Sequence, residues 1–148
     1  MKIFVSALFC LAFYSAAQAQ DLPAGKGGEI LDANCGGCHA LTRTTNSGKS
    51  KEDWKTTVDR MMSKGADVKP EEEDVLLTYL AKFFGEDVNV NTASAKDLQQ
   101  ELDITAVEAE AIVKARTATP FKTFADLGKV SGVDIKKLEP LKARIVFQ

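Results

Sequence analysis

The stretch Cys35-Gly36-Gly37-Cys38-His39 constrains this chain more than any other. A Cys-x-x-Cys-His run in an exported protein is the attachment site of a c-type haem. The spacing follows from the chemistry. Two thiols three positions apart on one tight helical turn can each add to a haem vinyl group, and the adjacent histidine is left under the porphyrin as the proximal iron ligand. Axial ligation is the main lever a protein has on haem potential, so the motif specifies the cofactor and half of its tuning. The expectation is one covalently attached haem c, with thioethers from Cys35 and Cys38 and iron ligation by His39.

Counting weighs against the rival readings of these cysteines. His39 is the only histidine of the chain, and Cys10 is the only cysteine outside the pair. A structural zinc site needs four ligands from Cys, His or carboxylate, and no second Cys/His cluster exists to supply them. A thioredoxin-like pair would want a βαβ context, and no such pattern surrounds Cys35. A plain disulfide would not need the following histidine, which leaves a redox disulfide as the residual reading.

The start of the chain reads as an export signal. Met1-Lys2 is a short basic start, Ile3 through Tyr14 an apolar core, and Ala17-Gln18-Ala19 a small-x-small cleavage site. The apolar run is too short to span a bilayer as a helix. The expectation is a signal peptide over residues 1–19, cleaved after Ala19, and a soluble periplasmic protein with no transmembrane anchor. Net charge is −2, which lacks the basic footprint of a nucleic-acid-binding chain.

Residues 20–86 read as a small helical haem domain. Gly27-Gly28-Glu29-Ile30-Leu31 opens a helix that runs into the haem motif. Trp54, Val58 and Met61 lie at i, i+4 and i+7, one face of a second helix. Lys69-Pro70-Glu71-Glu72-Glu73 starts a third, with proline and acids in the first turn as the helix dipole prefers. Its apolar positions Val75, Leu76, Tyr79, Leu80 and Phe83 read as a buried stripe, and Gly85 ends it. The Glu71-to-Asp74 run is most simply that helix start, with a docking surface for a basic partner as the weaker reading.

The sixth iron ligand is narrowed by elimination. With one histidine already used, bis-histidine ligation within one chain is impossible. After signal removal only Met61 and Met62 remain as methionines, and a Met/His pair raises the potential and suits electron transfer. Met61 shares its helical face with Trp54 and Val58, whereas Met62 is rotated about 100° further round. Met61 is the expected distal ligand with Met62 as the fallback. Two core methionines, with a five-coordinate or lysine-ligated iron, is the bland alternative. Trp54 would wall the haem, and Arg43 is either a propionate partner or a solvated surface arginine.

Residues 87–148 read as helical pairs. Ser94 with Asp97 and Thr105 with Glu108 are capping-box-like starts. Leu98 marks the first helix, and Ala109, Ile112 and Val113 the second. Pro120-Phe121 breaks the chain. Thr123 with Asp126 opens a third helix through Leu127, and Ile135, Leu138, Leu141 and Ile145 mark a fourth. The expected fold is all-α throughout.

Two family resemblances follow from these residues. Cys-x-x-Cys-His, then Arg43, Trp54, Val58, Met61, Gly65-Ala66 and Tyr79-Leu80-Ala81, resembles the class I cytochrome c family, particularly the short haem domains of periplasmic dehydrogenases. Val88-Asn89-Val90-Asn91-Thr92-Ala93-Ser94, Pro120-Phe121-Lys122-Thr123-Phe124-Ala125-Asp126-Leu127 and Val130-Ser131-Gly132-Val133-Asp134 resemble the tandem helix-hairpin-helix domain of the bacterial competence DNA receptor. DNA-binding members of that family carry Gly-apolar-Gly hairpins, whose backbone N–H groups at a helix start approach a phosphate. This chain has Asp103-Ile104-Thr105 and Gly132-Val133-Asp134 instead. Three of four glycine positions are lost, and two carboxylates would face the phosphate position.

Together these readings imply a periplasmic mono-haem electron carrier, not an enzyme. Its helical tail would dock it to a redox partner, a periplasmic dehydrogenase or oxidase. A peroxidase-like role lacks a distal histidine, because the lone histidine is proximal. A DNA-uptake protein with an appended haem is the alternative, and the hairpin aspartates weigh against it.

Overall fold

The computed structural model describes residues 22–148, so the expected signal peptide and Cys10 lie outside the described residues. Helix α1, Lys26–Cys35, leads into the Cys-x-x-Cys-His turn, and a single helical turn, α2, Thr42–Thr45, follows it. Helix α3, Lys51–Met62, starts where the Ser50 hydroxyl accepts the Asp53 N–H. This is the N-cap device that satisfies an orphan donor. Helix α4, Pro70–Phe84, has its proline in the first turn together with Glu71, Glu72 and Glu73.

These helices bury Ile30, Leu31, Leu41, Trp54, Val58, Val68, Leu76, Leu77, Tyr79 and Leu80 in one cluster. Helix α1 crosses α4 backbone to backbone. A Cβ on Gly27 would lie 2.2 Å from the Tyr79 Cβ and 3.0 Å from the Val75 carbonyl oxygen, so only glycine allows this approach. The Tyr79 hydroxyl donates to the Pro23 carbonyl at 2.7 Å, and burial pushes its ionisation up to about 12. The close crossing also corrects the expected α4 stripe. Val75 is 40% exposed and Leu77 is buried in its place, because α1 lies against the backbone at Val75 and not against its side chain.

A short strand β1, Val88–Asn89, then leads to α5, Ala95–Leu102, and α6, Ala106–Ala118. Both capping boxes form, Ser94 with Asp97 and Thr105 with Glu108. Helix α7, Phe124–Leu127, is capped by Thr123 and Asp126. The expected fourth helix is only one α turn, α8, Ile135–Leu138, continued as a 3-10 helix Glu139–Arg144 and ending in strand β2, Ile145–Val146. Pro140 accounts for the change, since it has no N–H to give an α ladder. Strands β1 and β2 pair in parallel, Val88 with Ile145 and Asn89 with Val146. Apart from this two-residue bridge the described chain is helical, an all-α fold. Leu98, Leu102, Ile104, Ile112, Phe121, Leu127, Leu138 and Leu141 fill the second core.

Arg144 joins the two cores. It is 3% exposed. Its guanidinium donates to the Glu86 carbonyl at 2.8 and 3.0 Å, to Ala81 at 3.0 Å and to Lys82, and pairs with the Glu101 carboxylate at 2.8 Å. Two of these carbonyls belong to the last turn of α4, whose oxygens have no partners within the helix. A Cβ on Gly85 would sit 2.6 Å from the Arg144 Nη2 and 2.2 Å from the Ala81 oxygen.

Candidate haem-binding cleft

An apolar cleft opens between the end of α1, the α2 turn, α3 and the middle of α4. Its floor is Leu31, Trp54, Val58, Val68, Leu76 and Leu80. Cys35, His39 and Met61 also line it, so three of the expected haem-contacting residues meet there. Met62 does not; it packs against the core cluster, as the 100° step between neighbours on a helix requires. Cys38 is exposed and outside the lining. Arg43 lies on the cleft wall, and Trp54 is 1% exposed at its back.

Local geometry suits the donors to a porphyrin. Helix α1 ends at Cys35, with the Gly36 N–H donating to Asp32 at 3.1 Å. The His39 Nδ1 lies 3.3 Å from the Ala40 carbonyl oxygen. A carbonyl can only accept, so this contact selects the tautomer that donates from Nδ1 and leaves Nε2 free for a metal. Both cysteines are free thiols. Burial, and then the neighbouring Cys38, push the Cys35 thiol up. Among the described residues no group of three or more His, Cys, Asp or Glu side chains could hold a bare metal ion. Thiols three positions apart with an adjacent histidine are the donors a haem's vinyl groups and iron take. The cleft encloses about 210 Å³, below the roughly 300–1,000 Å³ of cofactor sites. Segment 36–40 follows Cys35 and borders the cleft at His39. That segment is exposed throughout, and nothing lies within 4 Å of a Cβ built on Gly37.

Five polar contributors to the cleft are not evident from the motif: Thr44, Ser47, Lys49, Thr57 and Arg60. Thr57 could have been found from its i−4 spacing to Met61, and Arg60 from its i+3 spacing to Thr57. Lys49 comes from the loop before α3 and carries no local signal.

The hairpins of the second half are committed internally. Asp103, at φ 52°, turns its carboxylate to Lys82 of α4 at 2.7 Å. Asp134 accepts the Lys136 N–H at 3.0 Å. The carboxylate between the hairpins is a different one, Glu108, which is 5% exposed. It accepts the Thr105 N–H at 2.9 Å, the Thr105 hydroxyl at 2.8 Å and the Asp134 N–H at 3.2 Å. Among the described residues, no helix is long and apolar enough to cross a membrane.

An all-α chain whose Cys-x-x-Cys-His turn borders an apolar cleft, followed by capped helical hairpins, is a haem-binding protein with a helix-hairpin-helix module. The family model for the haem-binding domain of the quinohemoprotein amine dehydrogenase A alpha subunit matches residues 25–112. The chain belongs to that family. A helix-hairpin-helix motif model matches residues 84–146, so the two matches overlap across β1, α5 and the start of α6. No curated protein and no solved structure matches the chain significantly.

Proposed function

We propose that this protein is an exported, periplasmic mono-haem cytochrome of the class I c type. In this reading it carries electrons between redox partners without catalysing a reaction of its own. The observation that carries it is the convergence of Cys35, His39 and Met61 on one apolar cleft walled by Trp54. Cys35 and Cys38 would hold the haem by thioether bonds, His39 would ligate from the side fixed by Ala40, and Met61 would ligate from α3. The haem, when bound, supplies a one-electron couple. Leu31, Val58, Leu76 and Leu80 exclude water from that couple, and burial is one of the levers on its potential. The cleft lining holds no carboxylate and no second histidine, so it offers no acid/base pair of the kind a peroxidase needs.

The helix-hairpin-helix half would dock the carrier to a periplasmic dehydrogenase or oxidase. The motif match alone also suggests DNA, but Glu108 already saturates N–H groups of both hairpins, and carboxylates oppose phosphate neutralisation. Two measurements test the reading. Protein matured with the haem-attachment machinery should keep its colour through acid-acetone extraction, and Cys35→Ala with Cys38→Ala should lose it. In a fluorescence-anisotropy titration with duplex DNA at physiological salt, the full chain should show no micromolar binding. Extractable haem would defeat the covalent assignment, and tight DNA binding would bring the DNA-uptake reading forward.

A further inference from the structure

A second groove lies where the end of α4 meets the 3-10 helix. Phe83, Phe84, Pro23, Pro140 and Ala143 give it an apolar lining, and it encloses about 810 Å³. Ser47 lines both this groove and the haem cleft, so one residue separates the two. The Phe83 and Phe84 rings stand 4.8 and 6.0 Å from the Tyr79 ring, centroid to centroid, within the range of favourable aromatic pairs. Tyr79 is itself anchored through its hydroxyl to Pro23. The apolar wall is therefore preformed, and a ligand does not have to order it.

The charge around this wall is one-sided. Glu86 and Asp87 stand exposed on its rim, and neither forms an ion pair among the described residues. A shallow extension runs on from these two to Asp97 and Glu101, and no cation lines it among the described residues. Arg144 is the one cation lining the groove, and Glu101 and the α4 carbonyls already engage it. Lys49, next to Gly48 of the groove wall, gives its ammonium to the cleft side, where the Thr57 hydroxyl braces it at 2.8 Å. Covering unpaired carboxylates with an apolar or acidic surface strips their hydration without compensation. The occupant that fits brings cations to Glu86 and Asp87 and an apolar side chain to the two phenylalanines.

Resting on the electron-carrier reading above, we propose that this groove is where the carrier docks its redox partner, and that the partner presents an apolar side chain flanked by lysines or arginines. The docking face belongs to both halves of the chain, since Phe83 and Phe84 end α4 whereas Pro140 and Ala143 belong to the 3-10 helix. Ser47 keeps that face one residue away from the cleft.

The test uses the reduced holoprotein and tris(phenanthroline)chromium(III), an inert paramagnetic cation with apolar rings. In nitrogen–proton NMR spectra it should broaden the amides of Phe83 through Asp87 and of Ala143, less so as salt is raised. Glu86→Gln with Asp87→Asn should abolish that broadening. The same double variant should slow oxidation of the reduced protein by the cobalt(III) analogue about tenfold at low salt, a reaction in which one electron leaves the iron and cobalt becomes divalent. Glu71→Gln with Glu110→Gln removes as much charge from exposed positions outside the groove and should change neither readout. Broadening that is absent, centred elsewhere or unaffected by the Glu86 and Asp87 changes would overturn the proposal and leave the haem reading standing. Self-association that the same double variant abolishes would overturn it too, by making a second copy of this chain the occupant. A sample without haem absorption would overturn the electron-carrier reading, and the docking proposal with it.

Discussion

The indole N–H of Trp54 donates to the carbonyl of Phe84 at 3.2 Å, and the same oxygen accepts the backbone N–H of Lys49 at 3.2 Å. One carbonyl at the last residue of α4 thus positions both the back wall of the cleft and its braced cation. Trp54→Phe keeps most of the buried ring and leaves Phe84 with a partner in Lys49. It should cost only about 0.5–1.5 kcal/mol, the worth of one hydrogen bond. Trp54→Ala should cost about 3–5 kcal/mol, as large core truncations do. Urea denaturation of the two variants checks the ratio, and equal costs would deny the indole its packing role.

Arg144 and Glu101 form an ion pair whose members should respond unequally. Removing the guanidinium by Arg144→Met strands carbonyls of Ala81, Lys82 and Glu86 in a buried seam. At about 1–3 kcal/mol per unsatisfied group, the loss should exceed about 3 kcal/mol. The Glu101 side chain is half exposed, so Glu101→Gln should cost less than about 1 kcal/mol. Thermal or urea unfolding of both variants reads the contrast.

Glu108 should give stability a measurable acid dependence. The main-chain N–H of Thr105 and then its hydroxyl hold this carboxyl below its ordinary value of 4.5, with the Asp134 N–H and Lys137 assisting against burial. A carboxyl held low in the folded state stabilises fully above its unfolded value and loses that contribution as pH falls through the folded one. Stability should therefore be level above about pH 5 and decline below it. Asp97 beside the Ser94 hydroxyl and Asp126 beside Lys129 are held low as well. Glu108→Gln should accordingly flatten the decline only in part. Urea midpoints at neutral and acidic pH, compared between the two proteins, measure it.

The two thiols should differ in reactivity before haem attachment. Thiolate is the nucleophile, and burial keeps Cys35 protonated whereas Cys38 is exposed. Limited alkylation of the reduced, haem-free protein should modify Cys38 first. Peptide mass spectrometry locates the label, and equal labelling would show that the turn opens readily.

Met61 and Met62 should separate cleanly in the holoprotein. Met61→Ala should abolish the weak sulfur-to-iron absorption band at the red end of the oxidised spectrum and lower the potential. Met62→Ala should keep the band and lose some stability, because Met62 packs on the core. Loss of the band in Met62→Ala would transfer the ligand assignment by one residue.

Features that depend on short spacing were legible in the sequence. The Trp54-Val58-Met61 face, the capping boxes at Ser94 and Thr105, and the proline start of α4 all involve residues within two helical turns. Val75 was misjudged because its burial depends on how closely α1 crosses, which is decided by Gly27 far upstream. The β1–β2 bridge is two residues long on each side, too short for any alternation to register. The burial of Arg144 and Glu108 is not legible in the sequence, since partners of theirs lie up to 63 and 26 positions away. The cleft was half legible for the same reason. Its thiol, histidine and methionine stand in recognisable patterns, whereas Lys49 reaches it only after the loop before α3 folds back on Phe84.

The Arg144 seam also has a meaning in time. A chain grows from its N-terminus, so α4 is complete long before the guanidinium that covers its final carbonyls, which arrives 58 positions after Glu86. Until then the N-terminal half has an open end, which the segment carrying Arg144 closes. A nascent or clipped chain that stops short of residue 144 is physically distinguishable from one that contains it. Its unpaired α4 terminus gives a quality-control protease a place to begin.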